Sequence, residues 1–456
     1  MSVTTLAPGV QHQVFERRGP DVSVNVARVG RNAAVDLRTV SSFDRIAGTG
    51  PLLERTSAMC ARVECLAAVN GDFFREELPV GAVAARGEFL RSPNPKHHQL
   101  MITENGRLRS GGLDWVGRIV PTDLSELRLD AVNRDRGAND LVLYTPAFGR
   151  STLTNPHGVE MVVRFVAPPA GRLPVGQTVV FKMVSYRHGS GDTTIPQRGA
   201  VLSAHGNAAR ALGRLWERVR SGDAGREALL RIETTPRVDT VIGGTPVLLR
   251  DGKVWFSDAP TAFVRSRNPR TIVGWNKRGE TWLVTVDGRQ EGHSSGFTLA
   301  EAAAFMQQLG ATDAINLDGG GSSTFVVRGR VVNRPSDRAV IDDGRVSIAQ
   351  IASDARAANI ERPVANALVL VPRGATEPAP LAPPDLSGSV PQVRTLAGPV
   401  SSEVDPGSNP DAALPALIAL PAPDPQGRGL PLAAAGLLNF TVVSIFIRTR
   451  ASRSAA

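Results

Sequence analysis

Aromatic side chains are scarce in this chain: they make up 5% of its 456 residues, and only two are tyrosine. That scarcity, together with the lack of a concentrated Lys/Arg stripe, argues against a nucleic-acid binder built on stacking platforms. Cysteine is scarcer still, with Cys60 and Cys65 the whole supply. Two thiols and no histidine cluster to complete four ligands argue against a structural zinc site. Their spacing suits a small disulfide-closed loop in an oxidising compartment, with two free buried thiols as the alternative. The N-terminus also lacks a basic stretch followed by an apolar run, so no signal peptide is visible there.

Glycine (45) and proline (33) are plentiful, which fits a loop-rich protein better than a helical bundle. Hydrophobic residues at 42% and charged residues at 21% give an ordinary globular balance. The excess of 52 basic over 43 acidic residues leaves a formal charge of +9. Such a surface either attracts anionic partners or is simply solvated. Composition divides the chain. Residues 1–373 read as folded, and 374–429 as a Pro/Ala-rich linker too poor in periodic apolar residues to bury a core. Residues 430–447 carry no charge, and Arg448, Arg450 and Arg453 follow in the basic tail 448–456. As a helix that segment would rise about 27 Å, just enough for a hydrocarbon core, so it is a candidate C-terminal membrane anchor.

Alternating apolar runs predict strands at Val22–Val29, Gln177–Val184, Val247–Trp255, Thr281–Val286 and Phe325–Val332. Asp251-Gly252 and Arg328-Gly329 have the chemistry to turn two of these into hairpins. Helices are expected at about 206–219 and 299–309. The second is framed by Thr298 and Glu301 as a capping box and by Gly310 as a stop. A buried strand is expected at Ala314–Leu317. The expected fold class is α+β, a mixed and largely antiparallel sheet with flanking helices.

Residues 265–345 carry the densest polar pattern. Asp287 and Asp318 each follow an apolar strand, where a carboxylate can project into a cleft as acid, base or nucleophile at a sugar's anomeric carbon. Arg270 and Arg289 can grip a phosphodiester through two-pronged hydrogen bonds. Gly319, Gly320 and Gly321 can bring backbone N–H groups close to an anion, with the Ser322 and Ser323 hydroxyls beside them. No lysine follows the glycines, so this is not a nucleoside-triphosphate loop.

Several motifs in one order resemble the signature of the phosphodiester glycosidase family. They are Asp287-Gly288-Arg289-Gln290, Ser295-Gly296, Asn316-Leu317-Asp318-Gly319-Gly320-Gly321-Ser322 and Asn333-Arg334-Pro335-Ser336-Asp337. Upstream Asn70-Gly71-Asp72-Phe73-Phe74, and then Gly243-Gly244-Thr245-Pro246, Asn268-Pro269-Arg270-Thr271 and Arg362-Pro363-Val364, extend the resemblance over about 60–370. The resemblance implies a hydrolase acting on sugar-1-phosphodiesters similar to N-acetylglucosamine-1-phosphodiesters, with Asp287 and Asp318 as the catalytic candidates. Asn70, Arg270, Thr271, Arg289, Ser295, Asn316, Gly319, Gly320, Gly321, Ser322, Asn333 and Asp337 are the candidates for holding substrate. Asp72 stands where many relatives carry glycine, which argues against a direct role for it. Arg362 reads equally as a salt-bridge partner, and His97, His98, His157, His205 and His293 as satisfied or solvent-facing. The Asn/Asp oxygens would suit Ca²⁺ or Mg²⁺, although no loop has a spacing that compels a metal. A phosphate-linked glycan is the expected partner, and nucleic acid is not expected. The short disulfide loop, linker and anchor together predict an extracellular or cell-surface protein. The alternative from another class is a noncatalytic glycan- or polyanion-binding surface protein.

Overall fold

Strand Val22–Val29 shows why the chain builds sheets that are buried on both faces. Its side chains alternate, so Val22, Val24 and Val26 meet one core while Ala27 and Val29 meet another. It lies between Val10–Arg17 and Thr281–Val286, the latter repeating the pattern with Trp282, Val284 and Val286 on one face and Leu283 on the other. This is the middle of an eight-stranded sheet ordered Ser2–Ala7, Val10–Arg17, Val22–Val29, Thr281–Val286, Arg270–Trp275, Asp313–Asn316, Val247–Arg250 and Lys253–Val254. The computed structural model describes residues 1–375 apart from 47–52, 122–124, 168–171, 223–224, 258–260, 343–344 and 350–357. The described residues fall within one compact unit.

One face of this sheet is covered by helix Leu299–Leu309, through Leu299, Ala302, Ala303 and Met306. The helix begins as its sequence predicts. The Thr298 hydroxyl accepts from the Glu301 N–H (3.1 Å), and the Glu301 carboxylate accepts from the Thr298 N–H (2.9 Å). Gly310, at φ +95°, ends it. The other face meets two five-stranded sheets in a shared core containing Val69, Leu100, Ile242, Val273, Leu283, Ile315, Phe325 and Leu368. One is ordered Arg330–Val331, Phe325–Val327, Ala67–Asn70, Asn366–Pro372, Val35–Ser41. The other is ordered Leu108–Gly111, Gln99–Thr103, Val238–Gly243, Val83–Ala85, Glu88–Arg91. A second eight-stranded sheet, which includes Asp114–Pro121, Thr178–His188 and Leu141–Tyr144, packs around a core it shares with Ala84, Phe89, Met101 and Val241 of the latter five-stranded sheet. Helix Gly206–Ser221 packs there through Leu212, Leu215 and Val219.

The fold is thus mostly β, with fewer helices than the expected α+β class. Short strands bounded by Gly- and Pro-containing turns take most of the chain. Both predicted hairpins form, at Asp251-Gly252 and Arg328-Gly329. Strand pairing is antiparallel among the described strands except where Ala131–Val132 meets Leu141–Tyr144. Cys60 and Cys65 form a disulfide across the end of helix Thr56–Arg62. No helix among the described residues is long and apolar enough to cross a membrane. The expected anchor 430–447, the basic tail, and the linker beyond Ala375 lie outside the described residues.

Candidate active site

Several strands end at the same place, and their last residues carry the polar side chains. Asn70 closes strand Ala67–Asn70 and is fully buried. Its Nδ2 donates to the Asp318 carbonyl (2.7 Å), while its Oδ1 accepts from the Thr271 hydroxyl (2.6 Å) and the Thr324 N–H (3.1 Å). Asn316 closes strand Asp313–Asn316, and its Nδ2 donates to the carbonyls of Thr245 (2.8 Å) and Leu317 (2.7 Å). Asn70, Thr271 and Asn316, expected to hold substrate, therefore act on the backbone that carries Asp318.

Asp318 is 4% exposed. Burial pushes its carboxyl up to about 7, helped by the negative charge of Asp72, while Ser322, Arg362 and the Gly319 amide pull the other way. Ser322 lies near enough for that pull, yet no hydrogen bond of good geometry joins the two side chains. Asp318 Oδ1, Asn316 Oδ1, Ser322 Oγ, Ser323 Oγ and Thr324 Oγ1 are all buried without a hydrogen-bond partner. Buried polar atoms are normally satisfied, so such a concentration in one stretch marks a place where water or a polar ligand can bind.

Each glycine of the loop makes room for a neighbour. A Cβ on Gly319 would stand 2.7 Å from the Pro269 carbonyl, and one on Gly320 3.3 Å from Arg289 Nη1. One on Gly321 would overlap the Asp337 carboxylate and the Arg362 guanidinium. Those two groups pair through both prongs, Nε to Oδ2 at 2.7 Å and Nη2 to Oδ1 at 3.0 Å. The expected cradle of backbone amides is only partly available. The N–H of Gly320 donates to Pro269 (3.0 Å), and those of Ser322 and Ser323 close the turn on Gly319 and Gly320 (both 3.2 Å).

Asp287 differs from Asp318. Its Oδ2 lies 2.8 Å from His293 Nε2, its Oδ1 accepts from Asn333 Nδ2 (2.8 Å), and the Arg334 N–H reaches both oxygens (3.2 and 3.1 Å). Burial raises its pKa, and these donors oppose the rise. Both Asp287 oxygens are thus engaged by donors, whereas Asp318 keeps an oxygen without one. Asn333 carries its influence onward, donating to the Ser323 carbonyl (3.0 Å) and accepting from the Phe325 N–H (2.7 Å).

The two arginines also separate. Arg270 Nε donates to the Phe297 carbonyl (3.0 Å), and Nη2 to those of Phe263 (2.8 Å) and Ser266 (3.1 Å). Burial and the charge of Arg289 lower its pKa to about 10. The expected phosphate clamp at Arg270 is therefore committed to backbone carbonyls, because the residue opens a buried strand. Arg289 is exposed at a left-handed φ of +57°, with its guanidinium against Gly320 and Nε donating to Asn268 Oδ1 (3.0 Å). Ser295 holds the approach to helix Leu299–Leu309 by donating to the Asp21 carbonyl (3.2 Å) and accepting from Arg267 (3.2 Å).

The structure adds a pair that sequence reasoning set aside. Asp72 and His97 are buried together, Oδ1 to Nε2 at 2.9 Å. Asp72 Oδ2 accepts the Gly81 N–H (2.6 Å), and a Cβ on Gly243 would overlap its carboxylate. The Asp72 backbone N–H donates to Asn366 Oδ1 (2.8 Å). The signal was present in Asn70-Gly71-Asp72-Phe73-Phe74, but His97 has no motif around it. Among the described residues no group of three or more His, Cys, Asp or Glu gathers into a metal site. A concavity of about 1280 Å³ touches none of these residues, so chemistry rather than volume identifies the site.

Residues 175–371 match the family described as phosphodiester glycosidase. Over that segment the chain is similar to this family. The matched segment holds Asp287, Asp318, Asn333, Asp337, Arg362 and the glycine loop, while Asn70 and the Asp72–His97 pair come from outside it. The N-acetylglucosamine-1-phosphodiester alpha-N-acetylglucosaminidase of Bos taurus is 34% identical over 110 residues, covering 21% of this chain and 20% of that protein. The match thus spans about a fifth of the curated relative's length. A hypothetical protein from Synechocystis shares the fold at TM-score 0.56 and 20% identity, over 79% of this chain and 61% of its own. A protein from Burkholderia pseudomallei K96243 does so at TM-score 0.54 and 24% identity, over 77% and 74%.

Proposed function

We propose that this protein is a hydrolase that cleaves the bond between C1 of a sugar and a phosphodiester oxygen, on cell-envelope or extracellular glycans whose linkage resembles an N-acetylglucosamine-1-phosphodiester. The observation that carries the reading is Asp318, a buried carboxyl poised near pH 7 among unpartnered hydroxyls. In this reaction the C1–O bond breaks and the phosphate group leaves as a stable phosphomonoester anion, so little acid assistance is needed. Asp318 in its ionised form faces the developing positive charge on the sugar and takes a proton from the attacking water. That proton ends on the departing phosphate, and the products are a free sugar and a phosphomonoester. Arg289 beside Gly320 supplies a positive charge for the phosphate, and the Asp337–Arg362 pair fixes the opposite side of the loop. The name of the bovine relative supports the substrate class.

The test is turnover of a panel of sugar-1-phosphodiesters by the purified protein, with and without chelator. Release of free sugar, strongly reduced in Asp318→Asn, is expected. Binding of these compounds with no release by the folded wild type would replace the hydrolase with a noncatalytic glycan-binding protein. We also propose that the protein is exported and held at the membrane by residues 430–447, a reading supported by the Cys60–Cys65 disulfide. Membrane retention lost on truncation after Gly429 is expected in cell fractionation. Full-length protein in the soluble cytosolic fraction with both thiols alkylatable would contradict it.

A further inference from the structure

A basic cleft lies at the strand ends opposite Asp318. The register locates it: Arg270 pairs with Val286 at the Asp318 end, and Trp275 pairs with Thr281 and Asp313 at the far end. Strand rise separates these ends by about 17 Å. Val29, Val35 and Arg373 bring the far ends of other strands to the same place. The cleft measures about 1280 Å³ and is lined by eight arginine or lysine side chains against five carboxylates.

Three of those carboxylates are already paired. Asp36 meets Arg38 (3.1 Å) and Arg373 (3.3 Å), Asp251 meets Lys277 (2.7 Å), and Glu104 meets Arg237 (3.0 Å). Arg107, Arg109 and Arg250 form no ion pair among the described residues. Partial burial lowers the pKa of Arg86, at the tip of the hairpin between Val83–Ala85 and Glu88–Arg91, and the like charges of Arg172 and Arg38 lower it further. Like charges gathered in a concavity repel one another and focus a positive field outward, a cost that an anionic occupant removes. The volume exceeds the usual range of about 300–1,000 Å³ for a small-molecule pocket, which points to a chain rather than a free phosphate. The lining aromatic, Trp275, is 8% exposed, and the exposed Trp255 beside the cleft is covered by the Arg250 guanidinium, 4.0 Å from its ring, so bases find little to stack on. The concave shape also does not suit a flat lipid surface.

We propose that this cleft binds a phosphate-bearing glycan chain, a second site on the polymer whose sugar-1-phosphodiester is cleaved at Asp318; the inference rests on that reading of the active site. Two sites on one chain raise the effective concentration of the scissile linkage without any new contact at Asp318.

The experiment is calorimetric titration of the full-length protein with phosphorylated dextran, neutral dextran and an oligonucleotide of matched charge. Wild type and Asp318→Asn should both bind phosphorylated dextran, more weakly as salt rises, and should ignore neutral dextran. The double variant Arg107→Gln/Arg109→Gln, on an exposed hairpin, should bind about tenfold more weakly while turning over a small sugar-1-phosphodiester at the wild-type rate. Either single variant should shift affinity in the same direction and decides the matter if the double variant does not fold. Unchanged affinity in the variants, equal binding of neutral dextran, or tighter binding of the oligonucleotide overturns the proposal. Small-substrate turnover with no phosphorylated-dextran binding sinks the cleft alone. Arginine-dependent polymer binding with no turnover of any sugar-1-phosphodiester sinks the catalytic reading and leaves the cleft standing.

Discussion

Two aspartates that look alike in the sequence are both raised by burial but are held differently. Asp287 accepts from His293, Asn333 and the Arg334 amide. Asp318 Oδ1 has no hydrogen-bond partner, and its carboxyl sits near pH 7. Substitution should separate them. Asp318→Asn is expected to lower turnover by at least about 10²-fold with the fold intact. A carboxyl raised by folding stabilises the native state below its unfolded pKa and loses that contribution as pH rises through about 7. Asp318→Asn should therefore make the protein more stable at pH 8, by about 1–4 kcal/mol, and indistinguishable near pH 4. Denaturant melts at the two pH values check it, and an equal effect at both would contradict the assignment. Asp287→Asn places an NH₂ against donors, so it should lower the melting temperature and reduce turnover by about tenfold through the Asn333 connection. Its pH profile should keep the wild-type midpoint.

At the scale of elements, much was legible because local rules agreed with the fold. Helix Leu299–Leu309 begins and ends where Thr298, Glu301 and Gly310 say it should. Thr298→Ala should accordingly cost about 1 kcal/mol of stability, read from a denaturant midpoint, with turnover of a small substrate unchanged. The hairpins at Asp251-Gly252 and Arg328-Gly329 follow from turn chemistry in the same way. What could not be read was which polar atom would find a partner. Arg270 and Arg289 carry the same charge in neighbouring motifs, yet one opens a buried strand and reaches three carbonyls while the other lies exposed against Gly320. His97 pairs with Asp72 across 25 positions, a contact set by where two strand ends meet and not by any local pattern. The glycines of 319–321 were visible as a run, but the Asp337–Arg362 pair that excludes a side chain at Gly321 arrives from another part of the chain.

For the whole molecule, the sheets place the Asp318 loop and the basic cleft at opposite ends. Residues at one end of the shared strands build the Asp318 loop, and residues at the other line the basic cleft. The Cys60–Cys65 bridge closes a short loop beside the sheet that carries Asn70. Replacing both cysteines by serine should cost about 2 kcal/mol in the chain-entropy account, measured by denaturant melts. No change would mean that the bridge does not constrain the unfolded chain. The reading of the active site depends most directly on Asp318 itself, and pH–rate profiles of wild type and Asp318→Asn on a sugar-1-phosphodiester test it. Wild-type kcat/KM should rise through an apparent pKa of about 7, and the variant should retain at most about a hundredth of the activity with that limb gone. A folded Asp318→Asn protein with near-normal turnover and the same pH profile would contradict the account.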